Sequence, residues 1–115
     1  GRMPDLRAPN LVFTPLPAGT GSAAFRAAVE HAWLPALDAH RPELILVSAG
    51  FDAHHLDPLG DLRLTEADFA WITALVVDVA RRHAGGRVLS LLEGGYDLGA
   101  LARSAGAHVA GLLAA

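Results

Sequence analysis

The sequence contains no cysteine and no lysine, and it has no apolar run long enough to span a bilayer. Without cysteine there is no disulfide, no thiolate metal ligand and no cysteine nucleophile. The nine basic residues are all arginine and are scattered along the chain. Nucleic-acid surfaces and polybasic membrane patches need clustered positive charge, so we expect neither partner. A membrane-spanning helix needs about 18 consecutive apolar residues. The sequence has no run of that length, which also argues against a membrane partner.

The N-terminal stretch GRMPDLRAPN carries proline and charge where a secretory signal peptide has an apolar segment. We therefore expect irregular structure over residues 1–9 and a cytoplasmic location. With 115 residues, 52% of them hydrophobic, the chain is predicted to form at most one domain, with a modest core.

The spacing of apolar residues predicts an alternation of strands and helices. Strands are predicted at 10–16, 44–48 and 87–92, and helices at 23–40, 66–83 and 98–113. Pro35 should kink the first helix or end its first part. The second strand is apolar on both faces, which is typical of a parallel strand covered on two sides. The fold class predicted is α/β, a parallel sheet with flanking helices and right-handed crossovers, in a single domain over residues 1–115.

Two features of this layout lead to further expectations. Three strands make a thin sheet with exposed edges, so we expect the chain to be part of a larger α/β domain or to pair with a partner, including a second copy. Thr65 and Asp68 have the spacing of a capping box at the start of the second helix. The histidines on predicted helices are expected to face solvent or to cap helix ends: His31, His40, His83 and His108.

Chemically capable side chains follow two of the predicted strands. The loop after 44–48 reads SAGFDAHHLDPLG and contains two carboxylates and two adjacent imidazoles: Asp52, His54, His55 and Asp57. The loop after 87–92 reads EGGYD and contains Tyr96. Loops at the carboxyl ends of parallel strands meet at one edge of the sheet, so we expect Asp52 and Tyr96 within about 10 Å. A carboxylate could then bind a metal while a phenol donates to a substrate oxygen.

These motifs also carry a family resemblance. SAGFDAHHLDPLG followed by LT, and then LLEGGYDLGALA, resemble the C-terminal part of the zinc-dependent histone deacetylase superfamily, most closely its bacterial class II-like deacetylases and acetylpolyamine amidohydrolases. PLPAGTGS and PELILVSAGFD match the same pattern, so the resemblance covers nearly the whole chain. It implies a three-layer arginase-like fold and hydrolysis of an acetamide by a zinc-bound water. The implied substrate is a small acetylated amine or an acetyl-lysine.

The resemblance implies a role for each matched residue. Asp52 would be a zinc ligand, and Tyr96 would be catalytic, stabilising the tetrahedral oxyanion. Gly94 and Gly95 would border the substrate channel. The remaining matched positions, His54 and Asp57, would support the site loop.

The chain departs from the family pattern by an absence. The other two zinc ligands of the family come from an upstream Asp-x-His segment, and its tandem histidine pair lies further upstream; neither motif is matched here. His54 and His55 sit in the wrong motif to replace them. A catalytic zinc needs three protein ligands, so we expect this chain alone to be inactive. One alternative is a non-catalytic α/β interaction module. Another is a phosphate-binding domain using Gly94 and Gly95, disfavoured because no P-loop or GxGxxG motif is present.

Overall fold

The computed structural model describes residues 10–114. Its elements are α1 (Ser22–Ala28), a π-helical turn (Val29–Trp33), α2 (Leu34–His40), β1 (Ile45–Ala49), α3 (Glu66–His83), β2 (Val88–Leu92) and α4 (Leu98–Leu113). The strands are parallel neighbours, with Ile45 opposite Val88 and Ala49 opposite Leu92, and α3 is the crossover. The predicted α/β alternation is confirmed from residue 22 onward. The irregular structure expected at 1–9 falls outside the described residues.

The strand predicted at 10–16 is wrong. In the part of the chain that the structure describes, the sheet has two strands, and residues 11–16 are irregular. Pro15 and Pro17 supply no N–H for pairing, and the apolar side chains from Leu11 to Phe13 are exposed. The segment is instead tied to the first helical region by the Trp33 indole, whose Nε1 donates to Thr14 Oγ1 at 3.0 Å.

Pro35 distorts the first helical region without ending it. A proline ring clashes with the carbonyl four residues earlier, which here belongs to His31. The π-helical turn at Val29–Trp33 lies immediately before the proline and widens the helix at that carbonyl. Helical structure then continues to His40 and ends at Arg41, which adopts a left-handed conformation with φ of 54°.

Asp68 joins α1 to α3. Its buried carboxylate accepts from Ser22 Oγ at 2.5 Å and from Arg26 Nε at 3.0 Å on α1. It also accepts from the Thr65 backbone N–H at 3.0 Å, which confirms the predicted cap of α3. Burial alone would raise the pKa of Asp68, but these hydrogen bonds outweigh burial and lower it.

His108 is not a solvent-facing or capping residue, so that expectation is wrong. Its Nδ1 lies 2.7 Å from Thr73 Oγ1 on α3, and its Nε2 lies 2.7 Å from Ser90 Oγ on β2. Thr73 already donates to the Phe69 carbonyl at 2.7 Å, so its oxygen must accept from Nδ1–H. Nε2 then accepts from Ser90. One imidazole thus ties α4 to both α3 and the sheet, and burial lowers its pKa.

The two faces of the sheet differ in coverage. On the covered face, Val47 packs against the core cluster of Ala49, Phe51, Leu64 and Phe69. On the other face Leu46, Leu89 and Leu91 are 66%, 54% and 60% exposed. The two-sided cover expected for β1 is therefore one-sided among residues 10–114. The helices of the same stretch include none that is both long and apolar enough to cross a membrane.

Candidate active site

The loops that leave β1 and β2 run side by side. The ladder continues beyond the strands, since the Glu93 N–H donates to the Ala49 carbonyl at 2.9 Å and the Phe51 N–H donates to the Gly94 carbonyl at 2.8 Å. Asp52 comes directly after this pairing, and Tyr96 lies two residues past Gly94. Parallel pairing therefore brings the two motifs to the same edge of the sheet.

The Asp52 carboxylate lies against glycine backbone. A Cβ on Gly94 would be 3.1 Å from Asp52 Cγ and Oδ2, and one on Gly50 would be 3.3 Å from Oδ1. Both distances are tighter than an ordinary contact with a Cβ. Glycine at these two positions therefore leaves room for the carboxylate, which is partly exposed.

Two further glycines set the path of the loops. A Cβ on Gly60 would overlap the Asp52 carbonyl oxygen, so the end of the site loop packs directly on its start. Gly95 has a φ of 138°, a backbone conformation that residues with a side chain rarely adopt. A Cβ added there would lie 2.9 Å from Leu101 Cδ1. The glycine before Tyr96 thus permits both the turn and the close approach to α4.

Asp57 connects the two loops. Its side chain is buried, Oδ2 accepts from the Tyr96 N–H at 2.7 Å, and Oδ1 accepts from the Leu59 N–H at 2.9 Å. Burial alone would raise the pKa of Asp57, but the N–H donors, led by that of Tyr96, lower it overall. The carboxylate stays charged and holds the backbone of the tyrosine loop.

Tyr96 stands immediately before α4 and is 55% exposed. The next residue, Asp97, caps that helix, because its Oδ1 accepts from the Ala100 N–H at 2.8 Å. This cap was not among the predicted features, although an Asp directly before a helical pattern is a recognised capping signal. The backbone of Tyr96 is thus fixed by Asp57 before it and by the helix cap after it, while its ring is accessible.

His54 is a buried residue of the site loop. Its ring stacks near those of His55 and Phe69, with centroids 4.6 and 6.5 Å away. Nδ1 accepts from the Leu56 N–H at 3.1 Å, and Nε2 lies 3.2 Å from Glu66 Oε1. The one lone pair of the neutral ring is therefore already used within the protein. This arrangement leaves His54 no free donor for a metal.

The described residues do not complete a zinc site. A structural or catalytic zinc takes at least three protein donors, and residues 10–114 hold no group of three or more His, Asp or Glu side chains arranged to bind a metal ion. Asp52 is a carboxylate donor of a suitable type at the expected place. The remaining donors would have to come from outside this part of the chain.

Comparison with solved structures defines the architecture. The chain matches the HD domain of HDA15 with a TM-score of 0.76 and 38% identity, over 84% of this chain and 26% of that one. It matches the histone deacetylase Clr3 with a TM-score of 0.77 and 35% identity, over 84% and 16% respectively. These neighbours establish the arginase-like α/β fold that the motifs implied.

Sequence comparison defines the family. A model of the histone deacetylase domain matches residues 5–112. The chain is 48% identical to a histone deacetylase-like amidohydrolase of Pseudomonas aeruginosa over 83 residues (72% of this chain, 22% of the relative). It is 46% identical to the chloroplastic histone deacetylase 10 of Oryza sativa subsp. japonica over 90 residues (78% and 20%). It is 45% identical to the polyamine deacetylase HDAC10 of Mus musculus over 86 residues (75% and 12%).

The chain belongs to the histone deacetylase family. It spans about a fifth of the length of the first two of these relatives. The relatives named above are described as histone or polyamine deacetylases and as an amidohydrolase.

Proposed function

We propose that this chain is the C-terminal segment of a zinc-dependent deacetylase acting on an acetylated amine. The observation that supports this most strongly is the junction of the two motif loops, in which the Asp57 carboxylate accepts from the backbone of Tyr96 at 2.7 Å. Asp52 and Tyr96 belong to loops that the strand pairing and this hydrogen bond hold together. Both lie in motifs matched to the family over residues 5–112.

In this proposal Tyr96 is the catalytic residue of the segment. Its phenolic O–H donates to the scissile carbonyl oxygen and continues to donate as negative charge develops on that oxygen. A side chain that is more than half exposed and fixed at its backbone is suited to this role. Gly94 and Gly95 border the path by which the acetylated chain reaches the phenol.

Asp52 is proposed as one zinc ligand. When bound, zinc supplies an activated water and polarises the carbonyl. The chain itself supplies one suitable donor and a phenol, and we propose that it is inactive alone. His54 and Asp57 support the loop and do not bind the metal.

The inactivity is tested with the 115-residue chain. We expect no deacetylation of a chromogenic acetyl-lysine substrate or of an acetylated polyamine, and no stoichiometric tight zinc. Stoichiometric zinc together with turnover would contradict the proposal. A chimera in which the chain replaces the matching segment of the Pseudomonas aeruginosa relative provides the positive control, because the relative supplies the rest of the domain.

The substrate class is proposed as an acetylated primary amine, either small or an acetyl-lysine side chain. One relative is named as a polyamine deacetylase and others as histone deacetylases. Activity of the chimera on the two substrate types, compared with that of its parent, shows whether this segment contributes to the choice of substrate.

We also propose a cytoplasmic location, which imaging of the tagged protein tests.

A non-catalytic interaction module is the second candidate. The observation in its favour is the exposed leucine face of the sheet, formed by Leu46, Leu89 and Leu91. Apolar surface of this kind marks contact with another protein segment, either the rest of the domain or a second copy. A chimera without activity, together with a chain that dimerises through this face, would favour the module.

A further inference from the structure

The carboxylate of Glu66 connects the site loop to two helices. It lies in the first turn of α3, and its Oε1 accepts from Arg103 Nε on α4 at 2.7 Å. The same oxygen lies 3.2 Å from His54 Nε2 in the site loop. The Arg103 hydrogen bond is the main reason that the pKa of Glu66 is about 2, so the carboxylate is charged at neutral pH.

The His54 ring is confined from several directions. The residue is fully buried, and the ring stacks near His55 and Phe69. Because Nδ1 accepts from the Leu56 N–H, the proton of the neutral ring is on Nε2. That N–H is buried, and its contact with Glu66 is short but lacks the alignment of a well-formed hydrogen bond.

The His54 side chain is one of the attachments of the site loop to the helices. The backbone of the same loop is paired with the segment before α3, where the Leu64 N–H donates to the Ala53 carbonyl at 3.0 Å and the His55 N–H donates to the Leu64 carbonyl at 2.9 Å. Asp52 directly precedes this paired stretch. A shift of the His54 ring would therefore move backbone adjacent to Asp52.

We propose that Glu66, held by Arg103, is a positioning residue that acts through His54 to keep the Asp52 carboxylate in place. Without Glu66 the buried Nε2–H has no anionic partner, and leaving such a donor unpaired is costly. The ring would then move towards water, and the loop would loosen. The importance of this positioning for catalysis rests on the proposed deacetylase function, but the positioning itself does not.

Amide hydrogen exchange in the 115-residue chain tests this. Glu66→Ala should speed exchange of the Leu56 and His55 amides by about tenfold relative to amides in the middle of α4, because the cost of leaving a buried donor without an anionic neighbour is of that size. Glu66→Gln keeps an acceptor oxygen and should restore most of the protection. Arg103→Ala should shift the same amides in the same direction, and its effect should not add to that of Glu66→Ala.

Asp38 provides a matched control. Its carboxylate also accepts from one arginine and one histidine, Arg82 and His83, and its exposure of 37% is close to the 34% of Glu66. It is contacted from α3 and lies away from the site loop. Asp38→Ala should leave the Leu56 and His55 amides unchanged.

Three outcomes would overturn the proposal: equal acceleration throughout the chain, no acceleration at the loop, or a Glu66→Gln variant as loose as Glu66→Ala. Any of these would leave the deacetylase assignment standing, because the exchange experiment measures the loop and not turnover. Conversely, an inactive chimera would contradict the deacetylase assignment but would leave the exchange result intact.

Discussion

Among single residues, Asp57 makes the connection on which the geometry of the site depends. Its two oxygens accept from the backbones of Leu59 and Tyr96, and the second of these partners is 39 positions away in the chain. The DPLG motif indicated a supporting role for Asp57. It could not indicate that the residue supported is Tyr96, because that depends on the tertiary pairing of two loops.

Asp57→Asn is expected to destabilise the chain, since the amide NH₂ would face a backbone N–H that now donates a hydrogen bond to the carboxylate. Because the pKa of Asp57 is lowered, its contribution is complete above the ordinary value of 3.8 and is lost as pH falls through the folded-state pKa. Urea midpoints measured at pH 7 and pH 3 check this. The parent should lose more stability between the two than the Asn variant does; equal losses would contradict the account.

Gly60→Ala is expected to destabilise the chain by about 1–3 kcal/mol, because the added Cβ would overlap the Asp52 carbonyl oxygen and displace the site loop. Gly106→Ala is the matched control, since a Cβ there meets nothing within 4 Å. In the interior of α4 that change should stabilise by roughly 0.5–1 kcal/mol. Urea denaturation of both variants measures the difference, and a Gly60→Ala variant as stable as the parent would refute the close approach at Gly60.

Among the elements, α4 is attached through a polar network as well as by apolar packing. Ser90, His108 and Thr73 form a chain of hydrogen bonds from β2 through α4 to α3. Fixing the Thr73 hydroxyl on the Phe69 carbonyl also fixes the tautomer of the imidazole. The network is satisfied only while His108 is neutral, because Nε2 must accept from Ser90.

His108 should make the fold sensitive to mild acid. Burial lowers the pKa of His108 below its ordinary value of 6.5, so the unfolded chain binds the proton first. The stability that the neutral ring contributes is complete above 6.5 and is lost as pH falls towards the folded-state pKa. Thermal melts from pH 7.5 to 5 should show a smaller decline in His108→Gln than in the parent. His31→Gln, at an exposed position, should decline as the parent does; a His108→Gln variant that does the same would count against the network.

The sequence predicted the elements best where local signals agreed. The helices over 66–83 and 98–113 match α3 and α4, because apolar periodicity indicated both and the spacing of Thr65 and Asp68 marked the start of α3. The strand at 10–16 failed because strand formation needs a neighbour, which no local pattern reveals. His108 lies on the apolar stripe of its helix, and that position was the available signal of its burial. The contact between Glu66 and Arg103 on α4 could not be predicted from the local sequence, because it depends on how the two helices pack.

At the scale of the whole molecule, the uneven cover of the sheet is the main indication that the chain packs against something further. The helices cover one face, and leucines form the other. The Oryza sativa and Pseudomonas aeruginosa relatives are about five times as long as the stretch matched here. A sheet face of this kind is consistent with a segment of a larger domain.

Replacing Leu46 and Leu91 together by lysine tests that interpretation in the chain itself. Both side chains are exposed, so the free energy of unfolding should change by no more than about 0.5 kcal/mol for each substitution. Binding of a hydrophobic dye and concentration-dependent association should both decrease. Calorimetry measures the stability, dye fluorescence measures the exposed apolar surface, and analytical ultracentrifugation measures the association. A large loss of stability would mean that the leucines are packed within the chain.

The central claim is that Tyr96 is the oxyanion donor of a deacetylase segment, and the most direct test is the turnover number of the chimera with and without its phenolic oxygen. Tyr96→Phe should lower kcat by roughly 10²–10³-fold, as loss of one oxyanion donor does. Zinc content and melting temperature should be unchanged, because the hydroxyl is absent while the backbone N–H still donates to Asp57. A Tyr96→Phe chimera with the kcat of its parent would contradict the account.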